Sequence, residues 1–225
     1  MSTRAGNRTN PVASRRAPVT ARGEDKRARI IEAAGQLLAE QGYAGTTLAD
    51  IAKAAGTFAG SLYYHFESRE ELAIEVLTQG VDIAIAHTSA AVEALPADAA
   101  ARRRLETAIR AHVESILHRS PAALAAARAI GQLPPAVATP VSAAFREYGR
   151  IFADLFAAAE AEGSIDPSVD LSAVRMLVVG AANWSAEWFD PEGRSSVDDV
   201  ADLLCRMIFD GLGPAGSAGG AAELA

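Results

Sequence analysis

Three polar rings, Tyr63, Tyr64 and His65, stand in a row between Leu62 and Phe66, and the hydroxyls of Thr46, Thr47, Thr57 and Ser61 lie in the stretch just before them. Lys53 and Arg69 add a cation on either side. Side chains of these types exchange hydrogen bonds and neutralise anions. Nothing elsewhere in the chain builds a catalytic centre around them. The four histidines, His65, His87, His112 and His118, show no metal-ligand pairing, and six residues separate His112 from His118, which takes them off a common helix face. No Gly-rich loop follows a strand to cradle a phosphate, and no Gly-x-Ser-x-Gly elbow is present. Enzymatic function, a metal and any other cofactor are therefore not expected. Cys205 is the single cysteine, which excludes an intramolecular disulfide and suits the cytoplasm. Only Arg206 adjoins it as a base, so Cys205 reads as a small buried apolar residue and not a redox sensor.

The elements around the aromatic row have clear signals. Thr47 followed by Asp50 has the form of a capping box, with Asp in the place usual for Glu or Gln. Leu48, Ile51, Ala52 and Ala55 then recur at helical spacing, and Gly56 follows where a helix end favours positive φ. A second short helix carries Leu62 and Phe66 one turn apart on its core face, leaving Tyr63, Tyr64 and His65 largely on the others. Ser68 with Glu71 is a full capping box that starts a long helix through Leu72, Val76 and Leu77. A preceding helix from about Asp25 to Glu40 buries Ile30, Ile31, Ala34, Leu37 and Leu38 and ends at Gly42. Two short amphipathic helices joined by a tight turn make a helix-turn-helix, which offers its second helix to a DNA major groove.

The remaining chain reads as helices between breaks at Pro96, Ser120-Pro121, Leu133-Pro134-Pro135, Glu162-Gly163, Asp166-Pro167 and Asp190-Pro191. The expected helices cover 70–94, 100–118, 121–131, 138–162, 168–189 and 197–212, and no strand or hairpin signal appears, so the fold class is all-α. The first of these, of roughly 24 residues, spans about 36 Å and can carry a movement from the bundle to the DNA-binding unit. Four segments follow: a basic arm over 1–23, a helix-turn-helix unit over 24–69, a ligand-binding and dimerisation bundle over 70–212, and a loose tail over 213–225. At 225 residues the chain has room for both cores. There is no secretory signal or membrane-length apolar run, and no membrane partner is expected. Charge is segregated. Residues 1–69 carry a net +4 and residues 70–225 a net −11, which turns the N-terminal face toward a polyanion. The arm, with Arg4, Arg8, Arg15, Arg16 and Arg22, is either a solvated tail or a source of further phosphate or minor-groove contacts.

Residues 26–77 resemble the N-terminal domain of the tetracycline-repressor (TetR) family of bacterial transcription regulators. The resemblance rests on Ile31, Ala33, Ala34, Leu37, Gly42, Thr46, Thr47, Ile51, Ala52, Ala55, Gly56, Gly60, Leu62, Tyr63, Tyr64, His65, Phe66 and Leu72. It implies that Thr46 and Thr47, Tyr63, Tyr64 and His65 belong to the DNA-facing set, the hydroxyls and imidazole meeting phosphates. Arg69 takes a phosphate-binding position where the family usually has Lys. Such contacts fix register without reading sequence. Base contacts are implied for Thr57, Phe58, Ala59, Gly60 and Ser61. Family members often carry Ser and a basic residue where this chain has Phe58 and Ala59. With no bidentate donor to guanine there, readout is expected to lean on thymine-methyl contacts, Lys53 and DNA shape. Core packing is a rival reading for Phe58, one turn before Leu62; packing on the fourth helix is the rival for Tyr64, and an ordinary surface histidine for His65.

The bundle suggests a cavity and an interface. Helix 138–162 brings Phe145, Tyr148 and Phe152 close together with Arg146, and Trp188 near the end of helix 168–189 joins them as an expected ligand contact. The resemblance implies that the last two helices pair with those of a second subunit. Leu177, Gly180, Ala181, Trp184, Leu203, Met207 and Ile208 are the candidates, against ordinary intramolecular core. The segment Asn183–Gly193 (NWSAEWFDPEG) and the helix after it resemble a branch containing repressors of steroid and fatty-acid catabolism, some of which bind acyl-CoA thioesters. A CoA ligand needs cations; Arg102, Arg103, Arg104, Arg110, Arg119, Arg128, Arg146, Arg150 and Arg175 are available, without a sequence clue to which converge. The expected function is a ligand-responsive regulator on a palindromic double-stranded DNA operator. It acts as a homodimer released by a small apolar effector, an acyl-CoA among the candidates. The alternative, which Phe58 and Ala59 keep open, is an interaction protein of the same fold without specific DNA binding.

Overall fold

The computed structural model describes residues 19–212; the N-terminal arm up to residue 18 and the tail over 213–225 lie outside the described residues. Among the described residues there are only helices: α1 (Val19–Gly45), α2 (Leu48–Ala54), α3 (Ala59–His65), α4 (Arg69–Glu93), α5 (Ala101–Glu114), α6 (Pro121–Ala129), α7 (Pro135–Ala161), α8 (Leu171–Trp188) and α9 (Val197–Leu212). The all-α expectation holds. Helix α1 begins at Val19, so the last residues assigned to the arm are already helical.

The local signals work as chemistry. Thr47 caps α2 by accepting from the Asp50 amide at 3.2 Å. The end of α2 is closed by Gly56 at φ 61, with Thr57 N–H donating to Ala52 O (2.9 Å) and Gly56 N–H to Lys53 O (3.2 Å). That pair of bonds is a Schellman closure, and only the glycine takes its left-handed residue without strain. Ser68 caps α4 through the Glu71 amide at 3.0 Å, while Glu71 Oε2 accepts from the amide of Glu67, one residue outside the cap. Asp170 caps α8 through two amides, and Ser196 with Asp199 forms a reciprocal box ahead of α9.

Several boundaries differ from expectation: α1 starts at Val19 rather than about Asp25, α6 ends at Ala129 and α8 runs over Leu171–Trp188. The long helix expected from 138 starts at Pro135, because a proline at the first helical position lacks only a donor that would be unpaired there anyway. The helix expected over 100–118 is α only to Glu114, and a π turn over Ser115–Arg119 follows.

One core runs through the molecule. Ile30, Ala34, Ile51, Leu62 and Phe66 of the helix-turn-helix unit are continuous with Leu72, Val76 and Leu77 of α4, and these with Leu105, Ile109, Phe152 and Phe156 of the bundle. Helix α4 lies against α1, α5, α6 and α7 at once. At Gly80 it meets α6 backbone to backbone: a Cβ built there would stand 2.1 Å from Ala122 O. On its other side Ala122 touches Gly35 of α1, whose Cβ would stand 3.3 Å from Ala122 N. The start of α6 is thus wedged between α1 and α4.

Candidate nucleic-acid interface and bundle cavity

The aromatic side chains of the recognition unit are displayed, not buried. Phe58 is 84% exposed and Tyr64 86%, so neither packing alternative describes them. Tyr63 is exposed, and His65, half-buried, stands edge-on to Tyr64 with ring centroids 5.1 Å apart. Ala59 and Gly60 at the start of α3 and Lys53 on α2 are exposed; Thr57 and Ser61 are half-buried. Thr47 is exposed, but its hydroxyl donates to Asp50 Oδ2 at 2.5 Å and must be released before it can bind a phosphate.

Two expected DNA contacts are employed inside the protein. Thr46 is 1% exposed and turns its hydroxyl to the carbonyls of Gly42 (2.8 Å) and Leu37 (3.2 Å), closing the kinked end of α1. The two adjacent threonines divide the work: the second caps α2 and the first seals α1. Arg69 lies over the Tyr43 ring at 4.2 Å and donates to the Thr46 carbonyl at 3.0 Å, fastening α4 to the end of α1. Tyr43 in turn donates to Glu70 Oε1 at 2.9 Å.

Sequence reasoning missed Lys26. Its Nζ donates to Ser61 Oγ at 2.8 Å, placing a cation from α1 beside the first turn of α3, where local sequence offers none. The available signal was periodicity: Lys26 precedes the fully buried Ile30 by one turn and shares its face. Its neighbour Arg27 pairs with Glu75 and lies over the Phe66 ring at 5.0 Å, holding α1 to α4.

Inside the bundle lies a cavity of ≈ 940 Å³. Phe145, Arg146, Tyr148 and Phe152 line it as expected; Trp188 does not, being exposed near the end of α8. Unforeseen walls come from α4 (Gly80, Val81, Ala84), from α6 (Ala123, Ala126, Ala127), and from His112 and Asn183, while Arg150 and Arg175 are two of the candidate cations. The arginines now sort themselves. Arg102 pairs with Glu106, Arg104 donates to the carbonyls of Pro96, Ala97 and Ala99, and Arg110 pairs with Asp202. Arg146, Arg150 and Arg175 converge on the cavity.

Burial pushes His112 down to about 4, so the ring is neutral, with neighbouring Asn183 opposing the shift. Burial also raises the Tyr148 hydroxyl well above its ordinary value. Cys205, buried as expected, is raised to about 11 by desolvation and stays a thiol.

Arg128 joins three helix ends. It stands in the last turn of α6 and donates to Ala39 O near the end of α1 (2.6 Å), to Ala186 O near the end of α8 (2.5 Å) and to Glu187 Oε1 (2.8 Å). A helix C-terminus carries partial negative charge, and here one guanidinium in the last turn of α6 serves the ends of two others.

Helices α8 and α9 bear an unpaired apolar face. Leu177 is 74% exposed, Trp184 66%, Met207 65% and Leu203 51%, with Gly180 and Ala181 also exposed. Trp188 and Met176 extend the same exposure. Ile208 is the exception among the expected interface residues, because it is 3% exposed and belongs to the intramolecular core.

A helix-turn-helix unit set on a helical bundle with a cavity defines the class of DNA-binding transcription regulators. Residues 30–76 match the family described as bacterial regulatory proteins, tetR family, and residues 98–212 match the tetracyclin repressor-like C-terminal domain. The chain belongs to the TetR family. It is 28% identical over 191 residues to the HTH-type transcriptional repressor KstR2 of Rhodococcus jostii, covering 83% of this chain and 91% of that one. The KstR2 of Mycolicibacterium smegmatis is 26% identical over 190 residues, covering 83% and 90%. Among solved structures, AibR in complex with isovaleryl coenzyme A and operator DNA is 25% identical and superposes with a TM-score of 0.73 over 82% of this chain and 98% of that one. KstR2 of Mycobacterium tuberculosis, a ketosteroid transcriptional regulator, gives 0.69 at 25% identity over 84% and 95%.

Proposed function

We propose that this chain is an effector-controlled repressor that binds a near-palindromic operator as a homodimer and releases it when an acyl-CoA thioester enters the bundle. The observation that carries the reading is the double membership of α4. Its Gly80, Val81 and Ala84 line the cavity, while its Leu72, Ala73 and Val76 are buried in the core shared with the helix-turn-helix unit. A ligand that binds one bundle shape better than another therefore biases the placement of α3, and that differential affinity drives release.

An apolar chamber with Arg146, Arg150 and Arg175 among its walls fits a ligand with an acyl end and an anionic end. The relative AibR is similar over most of its length and was solved with an acyl-CoA and DNA. The apolar face of α8 and α9 supplies a surface for a second copy, and the displayed Phe58, Tyr63 and Tyr64 favour DNA reading over an interaction protein that has lost it. Two recognition helices are then expected about 34–36 Å apart, one DNA turn. A mobility-shift assay with the DNA upstream of the chain's own coding sequence tests the reading. Retardation relieved by an acyl-CoA supports it; the absence of both release and thermal stabilisation by an acyl-CoA panel at about 100 µM would sink the effector assignment.

A further inference from the structure

One buried ring nitrogen in the cavity wall has no hydrogen bond among the described residues. His112 is 4% exposed, and its Nε2 is a buried side-chain nitrogen without a hydrogen bond. The other ring nitrogen is committed: Tyr148 Oη lies 2.9 Å from His112 Nδ1 and 2.9 Å from Thr88 Oγ1, so the three residues form a line. The ring is held by edge-on contacts to Tyr148 (centroids 5.3 Å) and Phe152 (5.5 Å). Ser115 Oγ donates to the His112 carbonyl at 2.8 Å, where the π turn begins, a helix irregularity common at functional sites.

The protons of this line can be assigned. A neutral imidazole carries one N–H, and a phenol donates to an imidazole nitrogen more readily than it accepts from one. Thr88 therefore donates to Tyr148, Tyr148 donates to Nδ1, and Nε2 bears the ring proton. Reversing the line would strand the Thr88 proton in the interior instead. Asn183, which also lines the cavity, approaches the His112 ring as a side-chain hydrogen-bonding neighbour that favours its charged form, yet Nε2 has no bond of ordinary geometry among the described residues.

We infer that His112 Nε2–H is the polar anchor of the effector site and takes the carbonyl oxygen of the ligand, with Asn183 beside it as a second polar group. The inference rests on the effector reading above and narrows it. The ligand is a carbonyl compound whose oxygen sits at the inner wall, and purely hydrocarbon occupants lose this bond. Tyr148 is a positioning residue, because it acts by fixing the tautomer of His112.

Long-range proton–nitrogen correlation on the full chain, without ligand, reads the tautomer; we expect Nε2–H, and an Nδ1–H ring overturns the proposal. Affinity is then measured for isovaleryl-CoA against the thioether that replaces its C=O by CH2. A preference for the thioester of about tenfold, abolished in His112→Phe, partly retained in His112→Gln and reduced in Tyr148→Phe, is the expected result. Circular dichroism confirms that each variant is folded. If neither CoA compound binds, the acyl-CoA reading fails by itself, and cyclohexanone against methylenecyclohexane measures the same anchor. Equal affinities within the binding pair, or no binding of either pair, overturns it.

Discussion

At the scale of single residues, the recognition unit separates side chains that face outward from those that look as if they should. Tyr64 is displayed beside His65 and has no intramolecular hydrogen bond among the described residues, which leaves its hydroxyl available to a phosphate. Tyr64→Ala is expected to weaken binding to all DNA sequences alike, by about tenfold, in mobility shifts at moderate salt; unchanged affinity would remove the phosphate contact. His112 sets a pH dependence of stability. Its pKa falls from 6.5 to about 4 on folding, so the unfolded chain holds the extra proton between those values. This part of stability is complete above pH 6.5 and drains away as pH falls toward 4, by about 3 kcal/mol in all. Urea melts at pH 7 and pH 4.5 should show it, and His112→Phe should flatten the difference; an equal slope in the variant would refute the assignment.

Thr46 and Thr47 illustrate what sequence can hold at this scale. Both match the family pattern, yet one hydroxyl is sealed inside and the other is a cap, because only one of two neighbours can sit at the first position of α2. The cation beside Ser61 was invisible locally, since Lys26 lies on α1, 35 residues away in the chain.

At the scale of elements, the helix boundaries near the reader were legible because their chemistry is local. A Thr47–Asp50 cap, a Gly56 closure and a Ser68–Glu71 box need no distant partner. The π turn after Glu114 and the junction at Arg128 were not legible, since no local signal marks the first and the second depends on how α1, α6 and α8 lie together. Arg128 lets a prediction be made for the elements as a set. Arg128→Met keeps the aliphatic stem and leaves two helix ends uncompensated, so stability should drop by about 1–2 kcal/mol in denaturant melts. Because the residue ties the α1 end to the cavity wall of α6, the variant should also bind effector normally while releasing operator less completely. Full release with unchanged stability would show the junction to be incidental.

At the scale of the whole molecule, charge and apolar surface are divided between opposite tasks. Residues 1–69 carry a net +4, supplied by the five arginines of the first 23 residues, and are joined to a strongly acidic bundle, so attraction to DNA is confined to one end. The apolar face of α8 and α9 is unmatched among the described residues. Trp184→Lys, placed at its exposed centre, should convert the protein to monomers in sedimentation equilibrium and lower operator affinity by at least tenfold, since each half-site would then be bound alone. A variant that sediments as the wild type does would move the interface elsewhere. The paired interface remained ambiguous from sequence because Ile208 and Met207 are adjacent and equally apolar, and only the packing of α9 decides which one faces inward.

The contact at Gly80 bears on how such a regulator can be retuned. A side chain of any size on that residue would run into the Ala122 carbonyl, so the α4–α6 side of the chamber has almost no room for variation. On α7 and α8, which supply Phe145, Arg146, Met176 and Val179 to the wall, a Cβ added at Gly149 would meet only the Arg175 side chain and one at Gly180 open space. Libraries meant to build a biosensor for a new metabolite should therefore diversify α7 and α8 and leave α4 and α6 untouched, so that what is sensed changes while the machinery of response is inherited whole.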